Sequence, residues 1–373
     1  MMQLRKMMLM IGMVVLTSLA FAGEPVVLFK EADGSPGKTH PLTVADMNPH
    51  LLDVFWYTEN WFFIAICDDG HLAYVNLMLS NMGLKKHQPA LSFTIVTPNR
   101  KRLTTEAEFN PEEFKWSRDR FALQIGENVL EGDDRNVHLK LYNKGLGLDL
   151  TFAGKMRGYQ LGDGRGRFGA GEKNFYYINY PAPRPEVTGT LTVQDRKLAV
   201  RGWGYVDHCY YNANATDFED VWHNWKFYSP EISINLSNFF TPAKFEAPFN
   251  IASILDDQGI VCVTTDVTVT GKDVKVMKEG GKPYPQILGY DFRCADGTKA
   301  HAVYDARTVV EALDVLAKLN KTAGTRAVKY LINTFIAAPF YYRAIAPVEV
   351  QFTRNGETKL IKGEAVSEVI FTK

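Results

Sequence analysis

The chain has 373 residues, 46% hydrophobic and 12% aromatic, with 42 basic residues against 42 acidic ones. That balance leaves no basic or acidic surplus to attract nucleic acid or an anionic membrane surface, and neither is an expected partner. The length exceeds the size at which a single core stops growing, so two domains are expected.

Residues 1–22 read as a secretory leader: Arg5 and Lys6, an apolar stretch from Met7, then Leu19-Ala20-Phe21-Ala22 with small residues at the positions a signal peptidase inspects. A mature chain starting at Gly23 is expected in the periplasm or outside the cell, and no later segment is apolar for long enough to span a bilayer. In that compartment Cys67, Cys209, Cys262 and Cys294 can form disulfides. Cys262 with Cys294 is the preferred pair, since both fall in C-terminal strand-like segments, whereas Cys67 reads as a buried small hydrophobe.

Period-two alternation dominates from there on. Leu72–Leu79, Leu91–Val96, Phe121–Ile125, Val137–Tyr142 and Leu146–Phe152 are predicted strands, as are Val348–Phe352 and Lys359–Ile361. Asp68-Asp69-Gly70, Asn143-Lys144-Gly145 and Asn355-Gly356 supply the turns between them. Such a meander closes its edges by curling into barrels or by packing two sheets. Val309, Val310, Leu313, Leu316 and Ala317, then Ala327, Val328, Leu331, Ile332 and Phe335, repeat at helical spacing and predict a short helical hairpin in the C-terminal domain. The predicted division is 1–22 leader, 23–215 first domain and 216–373 second domain.

Two glycine-rich stretches are decoys. Ala32–Thr39 resembles a phosphate loop but runs into His40-Pro41 rather than a helix, and Gly164–Gly169 matches the dinucleotide pattern without a strand-then-helix unit around it. No cofactor is expected. No metal site is expected either, because His208, Cys209 and His223 do not form a recognised ligand spacing.

The run Gly202-Trp203-Gly204-Tyr205-Val206-Asp207-His208 carries most of the chemistry. Read as a strand from Leu198, it places Arg201, Trp203, Tyr205 and Asp207 on one face and Val200, Val206 and His208 on the other. Asp207 therefore stands among aromatic rings. It either accepts bonds from turn amides just after the strand, finds a cation or water, or is held protonated by an apolar cavity.

This run, preceded by Phe175-Tyr176-Tyr177, Pro181 and Val187-Thr188-Gly189, resembles the hydroxyneurosporene synthase (acyclic carotenoid 1,2-hydratase) family and its AttH-like relatives. Phe55-Trp56-Tyr57 and Leu148–Phe152 stand where that family carries comparable elements, and Cys209-Tyr210-Tyr211-Asn212 is a departure from it. The resemblance implies an all-β fold of two tandem lipocalin-like β-barrels. It also implies Asp207 as a general acid toward an alkene, with Tyr205 and His208 as its catalytic companions. Trp203, Trp222, Trp225, Tyr177 and Trp56 become candidates for the wall of a ligand pocket.

Three functions stay open: an exported binder of a lipid or other elongated apolar molecule, a hydratase, isomerase or pericyclase, and an envelope protein whose pocket is filled by its own side chains.

Overall fold

The computed structural model describes residues 23–82, 85–314 and 339–372. Among them one sheet has 14 strands and a second has 10. Neighbouring strands along both paths run antiparallel, as short turns between alternating segments require. Both sheets curl into half-barrels, giving the tandem lipocalin-like architecture that the resemblance implied. The Asn143-Lys144-Gly145 and Asn355-Gly356 turns take the positive φ values at Lys144, Gly145, Asn355 and Gly356 that tight hairpins need.

The first sheet runs from Arg102–Glu108 through Thr58–Cys67 to Arg196–Tyr211 and on through Pro185–Val193 and Leu146–Gly154 to Phe114–Trp116. Its last strand in chain order ends at Tyr211, and the second sheet begins with Val221–Tyr228. Inside that sheet Val221–Tyr228 lies between Ser233–Phe240 and Glu357–Phe371.

Alternation sorts the buried side chains into three cores. Trp61, Phe63, Phe152, Val206 and Tyr210 fill the first half-barrel, and Trp225, Phe227, Tyr290 and Tyr304 fill the second. The third core is the layer where the backs of the two sheets meet, made by Ile64, Tyr176, Tyr180, Tyr205, Cys209, Phe239, Phe249 and Val366. The Thr58–Cys67 and Arg196–Tyr211 strands are thus a shared wall, with one face in the first barrel and the other in the interbarrel layer.

Three details differ from or complete the sequence reading. Val309–Asp314 is a strand paired with Phe340–Arg354, not the start of a helix; a short run with two β-branched residues is ambiguous between the two periods, and the waiting strand edge decides it. The rest of the predicted helical hairpin, 315–338, lies outside the described residues, as does the 1–22 leader. Cys262 and Cys294 form a disulfide, and Cys67 and Cys209 are buried free thiols. No helix among the described residues is long and apolar enough to cross a membrane.

Candidate functional site

The Arg196–Tyr211 strand continues past Asp207, so this carboxyl sits mid-strand rather than in a turn and receives no turn amides. It faces the interbarrel layer at 3% exposure, opposite Phe62 of the neighbouring strand. Burial pushes its pKa well above the ordinary carboxylate range; the Lys226 ammonium and the Tyr205 phenol ease the rise, and Glu368 adds to it. Lys226 comes from the second sheet, is itself buried, and holds its ammonium over the Tyr205 ring at 4.1 Å while donating to the carbonyl of Leu236 at 2.9 Å. Burial pushes its pKa well below the ordinary lysine range, against the pull of Asp207 and Glu368. An acid and an amine are therefore buried together, each resisting its charged form.

Around this pair the layer is unusually rich in poorly bonded polar atoms. Among the described residues, Asp207 Oδ1 and the hydroxyls of Tyr205, Tyr180, Tyr176, Tyr159 and Ser253 are buried without a well-formed hydrogen bond, and several have only weak contacts: Tyr205 with Asp207, Tyr159 with Ser253 and Tyr176 with the Cys209 thiol. They form a connected group: the Tyr159 and Tyr180 rings stack at 5.0 Å, and Tyr180 meets Tyr205 edge-on at 6.2 Å. Each orphaned buried polar atom costs about 1–3 kcal/mol, and a cluster of them marks a place where water or a ligand completes the bonding. At the side of the layer, Arg343 bonds Glu368 at 2.6 Å, pairs with Glu311, and lies 3.4 Å from the Tyr74 ring centroid.

The opposite face of the same strand builds a second polar cluster, inside the first half-barrel. His208 is fully buried, and its ring stacks on Trp61 at 4.7 Å with the planes 5° apart. Its Nδ1 donates to the carbonyl of Asp46 at 2.9 Å, and its Nε2 faces Glu59 Oε1 at 2.7 Å. Glu59 also accepts from His50 Nδ1 at 2.9 Å, from the His50 amide at 3.0 Å and from the Tyr57 hydroxyl. Burial alone would raise the Glu59 pKa, but the bonds from His208 and His50 outweigh it and bring it down to about 2. Burial pushes the His208 imidazolium below its ordinary value, and the Glu59 bond pulls the other way. His50 is carried in by a loop in which Leu51 takes φ 47°, and its half-buried ring stacks on Tyr210 at 4.0 Å.

The structure brings Asp207 and Tyr205 together and sends His208 to the other side of the sheet. Trp203 stacks on Tyr228 of the second sheet at 4.1 Å, at the edge of the layer. Trp222 enters the layer and packs on Tyr176, whereas Trp225 points into the second barrel and stacks on Tyr290 at 4.5 Å. Tyr177 joins the His208 cluster from the first barrel, and Trp56 lies apart from both groups, edge-on to Phe55. Sequence reasoning missed Lys226, Glu368, Glu59 and His50. Glu59 was findable, since alternation puts it on the same strand face as Trp61, Phe63, Ala65 and Cys67, where a carboxylate needs a buried partner.

Two shallow depressions of about 180 and 220 Å³ lie elsewhere, one by Asp291, Arg293 and His301 and the other by Phe240, Phe245 and Pro248. Both fall below the usual size of a small-molecule pocket, and neither touches Asp207 or His208.

Solved structures share the fold at low identity. An AttH protein from Nitrosomonas europaea matches with TM-score 0.58 and 12% identity, over 84% of this chain and 92% of its own. CghA solved with Sch210972 matches with TM-score 0.64 and 12% identity, over 93% and 97%. Kievitone hydratase from Nectria haematococca matches with TM-score 0.55 and 11% identity, over 94% and 98%. No curated protein is matched by the chain. The Svf1 family model matches residues 37–373, nearly the whole chain from before the first barrel to the last residue, and the chain belongs to the Svf1 family.

Proposed function

We propose that this protein binds an elongated apolar small molecule, of the lipid or isoprenoid kind, in the layer between its two half-barrels, with Asp207 and the surrounding tyrosines meeting the polar or unsaturated part of that molecule. The observation that carries this reading is the group of poorly bonded buried polar atoms at Asp207, Tyr205, Tyr180, Tyr176, Tyr159 and Ser253, set in a layer otherwise lined by Ile64, Phe239, Phe249 and Val366. An apolar wall with a few convergent polar groups is the usual make-up of a small-molecule site. The shared fold of CghA, solved with Sch210972, supports a ligand-handling role. Export is part of the proposal and rests on the leader-like residues 1–22 and on the Cys262–Cys294 disulfide.

A second reading is favoured by one observation. Asp207, its pKa raised by burial beside aromatic rings, holds its proton more tightly than an exposed carboxyl and so has the character of a proton donor to an alkene, as a hydratase or isomerase requires. The likeness in fold to kievitone hydratase supports that direction.

The test is extraction of the protein purified from its native host, with mass spectrometry of what it releases. A stoichiometric apolar molecule, depleted at least severalfold in Asp207→Asn, is the expected result. An extract without such a molecule overturns the binding reading and leaves a layer filled by its own side chains. An unchanged yield from Asp207→Asn overturns the placement at Asp207. If a substrate is found, Asp207→Asn separates the two readings: binding kept with turnover lost identifies the proton donor.

A further inference from the structure

The His50, Glu59 and His208 cluster has no part in the proposed interbarrel site, from which the sheet itself separates it. We propose that these three residues form a binding site for a divalent first-row transition-metal ion, Zn²⁺ or Fe²⁺ in class, inside the first half-barrel.

Convergence is the first ground. One ligand atom from each residue lies within 4.8 Å of the others, with Glu59 Oε1 2.7 Å from His208 Nε2 and 2.9 Å from His50 Nδ1. Donors around an ion with bonds of about 2.0–2.1 Å sit roughly 3.0–3.4 Å apart, so the two contacts of Glu59 Oε1 need only lengthen by a few tenths of an ångström, with the two imidazole nitrogens within 4.8 Å of each other.

The outer supports are the second ground, and they are those a metal centre needs. His208 Nδ1 gives its hydrogen to the carbonyl of Asp46, which fixes the ring and aims Nε2 at the cluster. Asn179 holds the same carbonyl at 2.7 Å, and Trp61 lies flat against the imidazole while anchoring its own Nε1 on the carbonyl of Met47 at 3.0 Å. The Tyr57 hydroxyl holds Glu59 Oε2 and the His50 amide spans both Glu59 oxygens. His208 and Glu59 are thus held by outer hydrogen bonds, and the His50 ring by its stack on Tyr210.

Ligand type is the third ground. Two imidazoles and one carboxylate select borderline transition ions over Mg²⁺ and Ca²⁺, which take oxygen ligands. His50, with 23% of its side chain exposed, supplies the route in, and its ligating through Nδ1 leaves Nε2 free to face outward.

The experiment uses the untagged mature protein, stripped with a chelator and titrated with Co²⁺ while visible d–d absorption is followed, then with Zn²⁺ as competitor. One equivalent of tightly bound Co²⁺ with the intense bands of four- or five-coordination is expected, displaced by Zn²⁺. His50→Ala, which alters the partly exposed ligand and spares the buried pair, is expected to weaken binding by about 100-fold, since even the loss of an outer support costs 10- to 100-fold. His301→Ala, on the surface of the second sheet, is expected to change nothing. Absence of one-equivalent uptake overturns the proposal. So does uptake that His50→Ala leaves intact, because the ion then sits elsewhere.

Discussion

At the scale of single residues, chemistry is divided by the parity of one strand. Asp207 and His208 are chain neighbours, yet one enters the interbarrel layer and the other the first barrel. That division was legible from the alternation of Trp203, Tyr205 and Asp207 against Val206 and His208. What each faces was not legible, because Lys226 and Glu368 come from the second sheet and Glu59 and His50 from far upstream, and strand pairing across such separations leaves no local signal. Buried ionisable groups also make stability depend on pH. Glu219 is 4% exposed, and burial raises its carboxyl from 4.5 to about 8. The folded state thus holds this proton more tightly than the unfolded chain does; its contribution is complete below about pH 4.5 and is lost as pH rises through 8. The urea midpoint is therefore expected to fall between about pH 5 and 8. Glu219→Gln should flatten that fall, and an equal fall in the variant would assign it to other groups.

At the scale of elements, the Gly202-Trp203-Gly204 run proves to be a packing device as well as a motif. A Cβ on Gly204 would lie 2.5 Å from the carbonyl oxygen of Ile64 and 2.8 Å from the Phe152 ring, so the bare backbone lets Phe152 close over the strand. Gly204→Ala is expected to destabilise the fold by about 3 kcal/mol, the upper range for overpacking a core, as measured by equilibrium denaturation. A loss under about 0.5 kcal/mol, typical of an open surface site, would contradict the close approach. The strands themselves were readable because each alternates over a full half-buried length with a turn at its end. Val309–Asp314 was misread for the converse reason: it is short, and its pairing with Phe340–Arg354 is settled by tertiary structure, not by its own period. The Cys262–Cys294 pair was readable from placement, since both cysteines belong to the same C-terminal sheet region.

At the scale of the whole molecule, length and alternation pointed to more than one strand-built unit and the resemblance to their tandem arrangement, but the way the sheets meet was not legible. Arg184 is the main tie. It leaves the first domain with φ 46°, is 4% exposed, and reaches Asp257 at 2.8 Å, Ser233 at 2.8 Å and the carbonyls of Ser229 at 3.1 Å and Pro230 at 2.7 Å. Its guanidinium also covers the Tyr228 ring that Trp203 stacks upon. Arg184→Ala is expected to lower stability by about 3 kcal/mol, because it strands several buried acceptors at once. It should also speed amide exchange along the facing strands Arg196–Tyr211 and Val221–Tyr228. Unchanged exchange there would mean that the apolar layer alone holds the sheets together.

The claim on which the functional account turns is that the interbarrel layer, and not the inside of either barrel, receives the ligand. A crystal structure of the protein purified from its own host with its bound molecule tests this most directly. The account predicts continuous density between the sheets, with an atom within hydrogen-bonding reach of Asp207 Oδ1 and of at least one of the Tyr205, Tyr180 and Tyr159 hydroxyls. Density inside either barrel, with the layer around Asp207 closed as it is here, would contradict it.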